Sequence, residues 1–138
     1  MYKVAIIGCG RIGSTLEDDP LRDKPASHAG AFYGHPKTTI ASACDIDEKR
    51  LAAFGRRWSI PRGSLCCNYQ ELLKSEKPDI VAVASWTETH CPITITAASV
   101  ESVKAIYCEK PIAANLREAG GMISACNRKG VKLIVGHE

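Results

Sequence analysis

Lys3-Val4-Ala5-Ile6-Ile7-Gly8-Cys9-Gly10-Arg11-Ile12-Gly13 is the stretch that decides the fold. Lys3–Ile7 is a short apolar run of strand length, and it feeds directly into G-x-G-x-x-G. The glycine pattern alone is weak, but after a strand and before a helical segment it is a dinucleotide-binding fingerprint. Gly8 permits the tight turn off the strand. Gly10, lacking a Cβ, lets backbone come against a pyrophosphate, and Gly13 lets helix and strand pack closely. N–H groups freed at the helix start would then hold the phosphates. The cofactor-binding residues expected here are Gly8, Gly10, Arg11, Ile12 and Gly13.

Outward from the turn, strand-like and helix-like segments alternate to the end of the chain. Lys3–Ile7, Thr39–Cys44, Ile80–Ala84, Ala105–Cys108 and Lys132–Val135 read as strands. Residues 27–35, 48–57, 69–75, 89–99 and 116–129 read as helices. Ser27 and Asp47 suit N-caps, and Pro36 stops the first helix. Asn115 with Glu118 forms a capping-box arrangement, and Gly130 closes the last helix. Ile93, Ala97 and Val100 recur at helical spacing. Strands apolar on both faces and separated by helices require a parallel sheet covered on both sides. The fold class is therefore α/β: a doubly wound, mostly parallel Rossmann sheet with helices on both faces, formed by residues 1–138 as one domain.

An acid follows the second strand at Asp45. A carboxylate there accepts hydrogen bonds from ribose hydroxyls and repels a 2′-phosphate, so it favours NAD, with NADP as the alternative. Asp47 and Arg50 blur that choice, and a turn or cap role for Asp45 is the plainer alternative. Asp45 lies 32 residues after Gly13 (45 − 13), whereas the acid ordinarily follows by roughly 20–30. A polar insertion over Glu17–Pro25 accounts for the excess. It interrupts the first helix near its start. Its acids, Glu17, Asp18 and Asp19, disfavour a nearby pyrophosphate unless they face solvent or the substrate side.

Composition sets the outer bounds. The 138 residues carry a net charge of +3, from 18 Lys+Arg against 15 Asp+Glu. That is too little to argue for nucleic acid or an anionic membrane. No apolar run approaches the ~18 residues of a membrane-spanning helix. Without a basic, apolar leader pattern, the expected location is cytoplasmic. Seven cysteines read as reduced structural thiols, with Cys44 and Cys108 as core hydrophobes and no metal site. Cys9, inside the turn, is either a tolerated small residue or a thiol activated by the helix start.

In doubly wound sheets ligands sit at the carboxyl ends of strands. Three more ends carry polar groups: Ser85-Trp86-Thr87-Glu88-Thr89-His90, Glu109-Lys110-Pro111, and Gly136-His137-Glu138. Together they supply what a redox site needs, namely groups to place a nicotinamide and an acid/base for a hydroxyl.

With the G-C-G-R-I-G turn, the C-D-I-D run at Asp45, the T-E-T-H run ending at His90 and the E-K-P triplet in this order, the chain resembles the glucose–fructose oxidoreductase / inositol dehydrogenase (Gfo/Idh/MocA) family. The resemblance covers essentially all 138 residues. It implies that Lys110 contacts the substrate hydroxyl and the nicotinamide region as the catalytic residue. It implies that Glu109 meets the cofactor ribose and that Pro111 fixes the turn, often through a cis bond. Ser85, Thr87 and His90 match the segment lining the pyrophosphate and nicotinamide-ribose side. His90 also has a plainer reading as a helix-start residue bonded to backbone, and Trp86 departs from the proline often found there.

The resemblance further implies a second, C-terminal α/β domain that this chain lacks, and with it a general-base histidine. The expectation is the cofactor half of a longer NAD(P)-dependent oxidoreductase acting on a sugar, cyclitol or related small polyol, with self-association into a homo-oligomer as an option. Two alternatives stand beside it: a non-catalytic dinucleotide-binding sensor or regulatory module, and another Rossmann reductase.

Overall fold

In the computed structural model, which describes residues 1–136, β1 (Tyr2–Ile7) leads to α1 (His28–Gly34) and β2 (Thr38–Cys44). Then follow α2 (Glu48–Trp58), β3 (Leu65–Cys66), α3 (Tyr69–Glu76), β4 (Ile80–Val83) and α4 (Thr87–Ala98). The chain continues through β5 (Ala105–Cys108), α5 (Leu116–Lys129) and β6 (Lys132–Val135). The strands form one six-stranded sheet, order β3-β2-β1-β4-β5-β6, with every neighbouring pair parallel. Strand order reverses between β1 and β4, which opens a crevice at their carboxyl ends.

Both faces are built from the expected apolar residues. Ala29 of α1 and Leu51 and Phe54 of α2 cover Val4, Ile6 and Ile40. On the other face Leu72 and Leu73 of α3, Ile93 and Ala97 of α4, and Met122 and Cys126 of α5 cover Ala5, Ile7, Val81, Val83 and Ile106. The caps form as the sequence implies. Ser27 accepts from the N–H of Gly30, Asp47 from those of Lys49 and Arg50, and Asn115 from that of Glu118. Gly130 ends α5 in the left-handed region at φ 68°.

Three features differ from the sequence reading. β3 is a two-residue strand beside Ala43 and Cys44, too short to show any periodicity. α4 begins at Thr87, two residues before the expected start, because its N-cap Trp86 has no side-chain oxygen to announce it. The third concerns the helix after the glycine turn, which is interrupted as the sequence implies but whose two parts rejoin. Gly10 to Ser14 make a single turn closed by Ser14 N–H to the Gly10 carbonyl at 2.9 Å. The chain then leaves through a 3₁₀ turn at Thr15–Asp18 and returns at α1. There the N–H groups of His28 and Ala29 donate to the carbonyls of Ile12 and Gly13, both at 3.0 Å. The turn and α1 thus stack end to end as a spliced helix, with the insertion looped out between them. The hydrogen-bonded column behind the turn is preserved, and with it the alignment of peptide dipoles.

Candidate cofactor and reaction site

The glycine turn is fixed by close packing of backbone. Gly8 sits at φ 99°, and a Cβ there would lie 2.5 Å from the Ala84 carbonyl group at the end of β4. A Cβ on Gly13 would collide with the Gly8 carbonyl oxygen. Gly10 differs: nothing lies within 4 Å of the space its Cβ would take. That is the open cradle an approaching diphosphate requires. Among the described residues, the N–H groups of Gly10, Arg11, Ile12 and Gly13 take no protein acceptor. Four adjacent free donors at the head of a helical column fit a phosphate anion.

Asp45 closes the other side of this turn. Its Oδ2 accepts from the Cys9 N–H at 2.8 Å, its Oδ1 accepts from the Asp47 N–H at 2.9 Å, and the residue is only 6% exposed. Each oxygen keeps a second lone pair for a ribose hydroxyl. The two bonds make Asp45 a turn-shaping residue, with acceptor capacity left over on its carboxylate. Arg50 lies 3.5 Å from Asp45 and 3.9 Å from Asp47, so its charge is already countered by two acids. Burial and the neighbouring Asp45 push the Cys9 thiol up, which removes the activated-thiol reading. The seven cysteines are free thiols.

Glu17, Asp18 and Asp19 of the insertion are each engaged. Glu17 accepts from the N–H groups of Ala26 and Ser27 and from the Ser27 hydroxyl, at 2.6, 2.8 and 3.1 Å. Burial pushes its carboxyl up, but these bonds outweigh burial and hold it below the ordinary range. Asp18 takes both arms of Arg57, at 2.7 and 2.8 Å, and so reaches α2. Asp19 pairs with Arg11 at 3.1 Å, which draws the Arg11 guanidinium towards the insertion.

At the ends of β4 and β5 two histidines do the holding. His90 is 1% exposed, and its Nδ1 and Nε2 lie 3.0 and 3.1 Å from the carbonyls of Pro111 and Ser85. It sits between the two strand-end loops, and a neutral ring donates to one of the two carbonyls. Ser85 Oγ meets Thr89 Oγ1 at 2.7 Å, and half-buried Thr87 opens α4. Glu109 Oε2 accepts from the Lys110 N–H at 3.0 Å, and Lys110–Pro111 is cis. The Lys110 side chain is exposed and makes no ion pair among the described residues.

His28, at the head of α1, was not among the sequence candidates. Its Nε2 lies 3.0 Å from Glu109 Oε1. A cleft of about 480 Å³ adjoins this cluster and is lined in part by Ile12, His28, Tyr107, Glu109 and Lys110. The polar group expected at His137 lies outside the described residues. No helix among the described residues is long and apolar enough to cross a membrane.

Comparison with known proteins agrees with this geometry. Residues 2–137 match the family model for the GFO_IDH_MocA oxidoreductase family, NAD-binding Rossmann fold. D-apiose dehydrogenase of Paraburkholderia graminis is 34% identical over 99% of this chain and 32% of its own length. Inositol 2-dehydrogenase 3 of Saccharopolyspora erythraea is 29% identical over 96% of this chain and 34% of its own. The crystal structure of an oxidoreductase from Agrobacterium radiobacter in complex with NAD⁺, L-tartaric acid and magnesium superposes with a TM-score of 0.80. It is 27% identical and covers 97% of this chain and 34% of that one. The chain thus spans about a third of the length of these relatives.

Proposed function

Because this chain belongs to the Gfo/Idh/MocA oxidoreductase family and is its NAD-binding Rossmann domain, we propose that the protein containing it oxidises a carbinol of a sugar, cyclitol or related small polyol, or reduces the matching carbonyl. Residues 1–138 form the cofactor-binding part of that protein. The observation that carries the reading is the placement of Lys110. Its turn ends β5, beside β4 and one strand further from the glycine turn of β1, on the same carboxyl edge of the sheet.

Bound NAD⁺ accepts hydride at its nicotinamide ring; the protein's part is positioning and proton handling. The free N–H groups of residues 10–13 hold the diphosphate. Asp45 takes the adenosine ribose hydroxyls, and with Arg50 already countered by two acids this favours NAD over NADP. Ser85 and Thr87 line the middle of the cofactor cleft, while Glu109 and Pro111 set the turn that presents Lys110. The Lys110 ammonium donates to the reacting oxygen. With hydride taken up by the bound cofactor, Lys110 would steady the charge gathering on the oxygen, and the O–H proton would go to a base supplied by the rest of the protein or to water. Both D-apiose dehydrogenase and inositol 2-dehydrogenase, by their names, act on polyhydroxylated carbon, which supports this substrate class. Seven free thiols suit a reducing compartment such as the cytoplasm.

The test is NAD⁺ reduction by the intact protein across a panel of aldoses, cyclitols and polyols. Lys110→Ala is expected to lower kcat by about 10²–10⁴-fold, the range for a positioned acid or base. NAD binding should be retained. Equal kcat in the two proteins would remove Lys110 from the reaction.

A further inference from the structure

The Glu109-Lys110-Pro111 turn is in contact with a residue far away in sequence. Glu109 Oε1 faces His28 Nε2 at 3.0 Å across 81 residues, and Glu109 Oε2 holds the Lys110 N–H at 3.0 Å. The His28 side chain is 3% exposed and that of Glu109 15%. The Tyr107 ring meets the imidazole edge-on at 5.0 Å. Meanwhile the His28 backbone N–H donates to the Ile12 carbonyl inside the glycine turn at 3.0 Å.

The tautomer follows from the partners. An ionised carboxylate only accepts, so Nε2 must carry the hydrogen. His28 Nδ1 is buried and has no partner among the described residues. A proton there would be an unsatisfied buried donor, which is costly. Burial accordingly holds the His28 pKa below its ordinary value, and nearby His90 adds to this, although Glu109 pulls the other way. The contact is therefore a hydrogen bond from a neutral imidazole and not an ion pair.

We propose that His28 is a positioning residue for the reacting end of the site: its imidazole fixes Glu109, and through Glu109 the Lys110 backbone, while its own N–H is fixed to the glycine turn. One residue then sets the spacing between the diphosphate cradle and the reacting lysine. This rests on the reading of Lys110 given above. The looped-out insertion permits it, because the spliced helix brings His28 back to the Ile12 carbonyl and beside Tyr107 and Glu109.

Two measurements on the intact protein test it. The first is ¹⁵N-histidine NMR at pH 7, which reads the tautomer directly. A neutral Nε2–H imidazole at His28 is expected; the Nδ1–H tautomer or an imidazolium overturns the proposal. The second is steady-state kinetics with thermal melts. His28→Ala should lower kcat by about 100-fold, the scale for misplacing a reacting group by roughly 1 Å. The substrate KM should move much less. His28→Gln, whose amide can donate near the Nε2 position, should recover to within about tenfold of the unsubstituted enzyme. Full kcat in folded His28→Ala, with only a lower melting temperature, would make the role purely structural and sink the proposal; so would a folded Gln variant no better than Ala. If the unsubstituted protein turns over no polyol at all, the functional reading fails before any variant is made, and the tautomer alone then judges the His28–Glu109 bond.

Discussion

The glycine turn after β1 and the Glu109-Lys110-Pro111 turn after β5 share one edge of the sheet but are held by different means. The first is held mainly by backbone packed on backbone, Gly8 against Ala84 and Gly13 against the Gly8 carbonyl, with one side-chain bond from Asp45 to the Cys9 N–H. The second is held by side chains from distant elements: His28 from α1 on Glu109, and His90 from α4 on Pro111 and Ser85. Close backbone packing fixes the turn proposed to take the diphosphate, and side-chain hydrogen bonds from α1 and α4 fix the turn proposed to present the reacting lysine.

The contrast can be broken most forcefully at Gly8. A Cβ there meets backbone at 2.5 Å in a positive-φ conformation. Strain and overpacking of about 1–3 kcal/mol each should combine in Gly8→Ala. The expected loss is about 3 kcal/mol or more in a denaturant melt, together with loss of NAD binding; an unchanged melt would show that the turn is not packed as described. Asp45→Ala comes next. It removes a charged acceptor from a buried N–H, so a loss of about 2 kcal/mol is expected. NAD affinity should fall by roughly tenfold or more on the same basis, measured by titration alongside the melt.

A smaller effect belongs to the other turn and depends on pH. His28 titrates lower when folded than its ordinary value near 6.5, so below 6.5 the unfolded chain binds more protons than the folded one. The stability from neutral, buried His28 is present above pH 6.5 and is lost as pH falls towards the folded value, with a slope of at most about 1.4 kcal/mol per pH unit. Urea melts between pH 5 and 8 should show this slope in the parent and a flatter profile in His28→Gln. Equal slopes would place the proton elsewhere. Gly10→Ala sharpens the comparison with almost no effect on folding. Its Cβ meets nothing within 4 Å, so stability should change by about 0.5 kcal/mol or less. NAD binding should still fall, because the methyl group stands where the diphosphate must come.

The same contrast explains what was legible in the sequence. Gly8 to Gly13, the caps at Ser27, Asp47 and Asn115, and five of six strands follow from residues a few positions apart. The positions of Asp45 and Lys110 on one edge are legible because they follow strand ends. β3 was not, since Leu65–Cys66 is shorter than any period. His28 was not, because its partner lies 81 residues on. Its one local signal was its place at the first helical position after the Ser27 cap. The splice at Gly13 and His28 was equally hidden, because an insertion seen in sequence does not say where its ends rejoin.

The central claim is that the cradle at residues 10–13 takes a nicotinamide dinucleotide and that Asp45 prefers NAD. Calorimetric titration of the 138-residue chain with NAD and NADP in parallel tests it most directly. Saturable binding of NAD, weaker binding of NADP, and loss of both in Gly10→Ala are expected; heats of dilution alone for both dinucleotides would contradict the account.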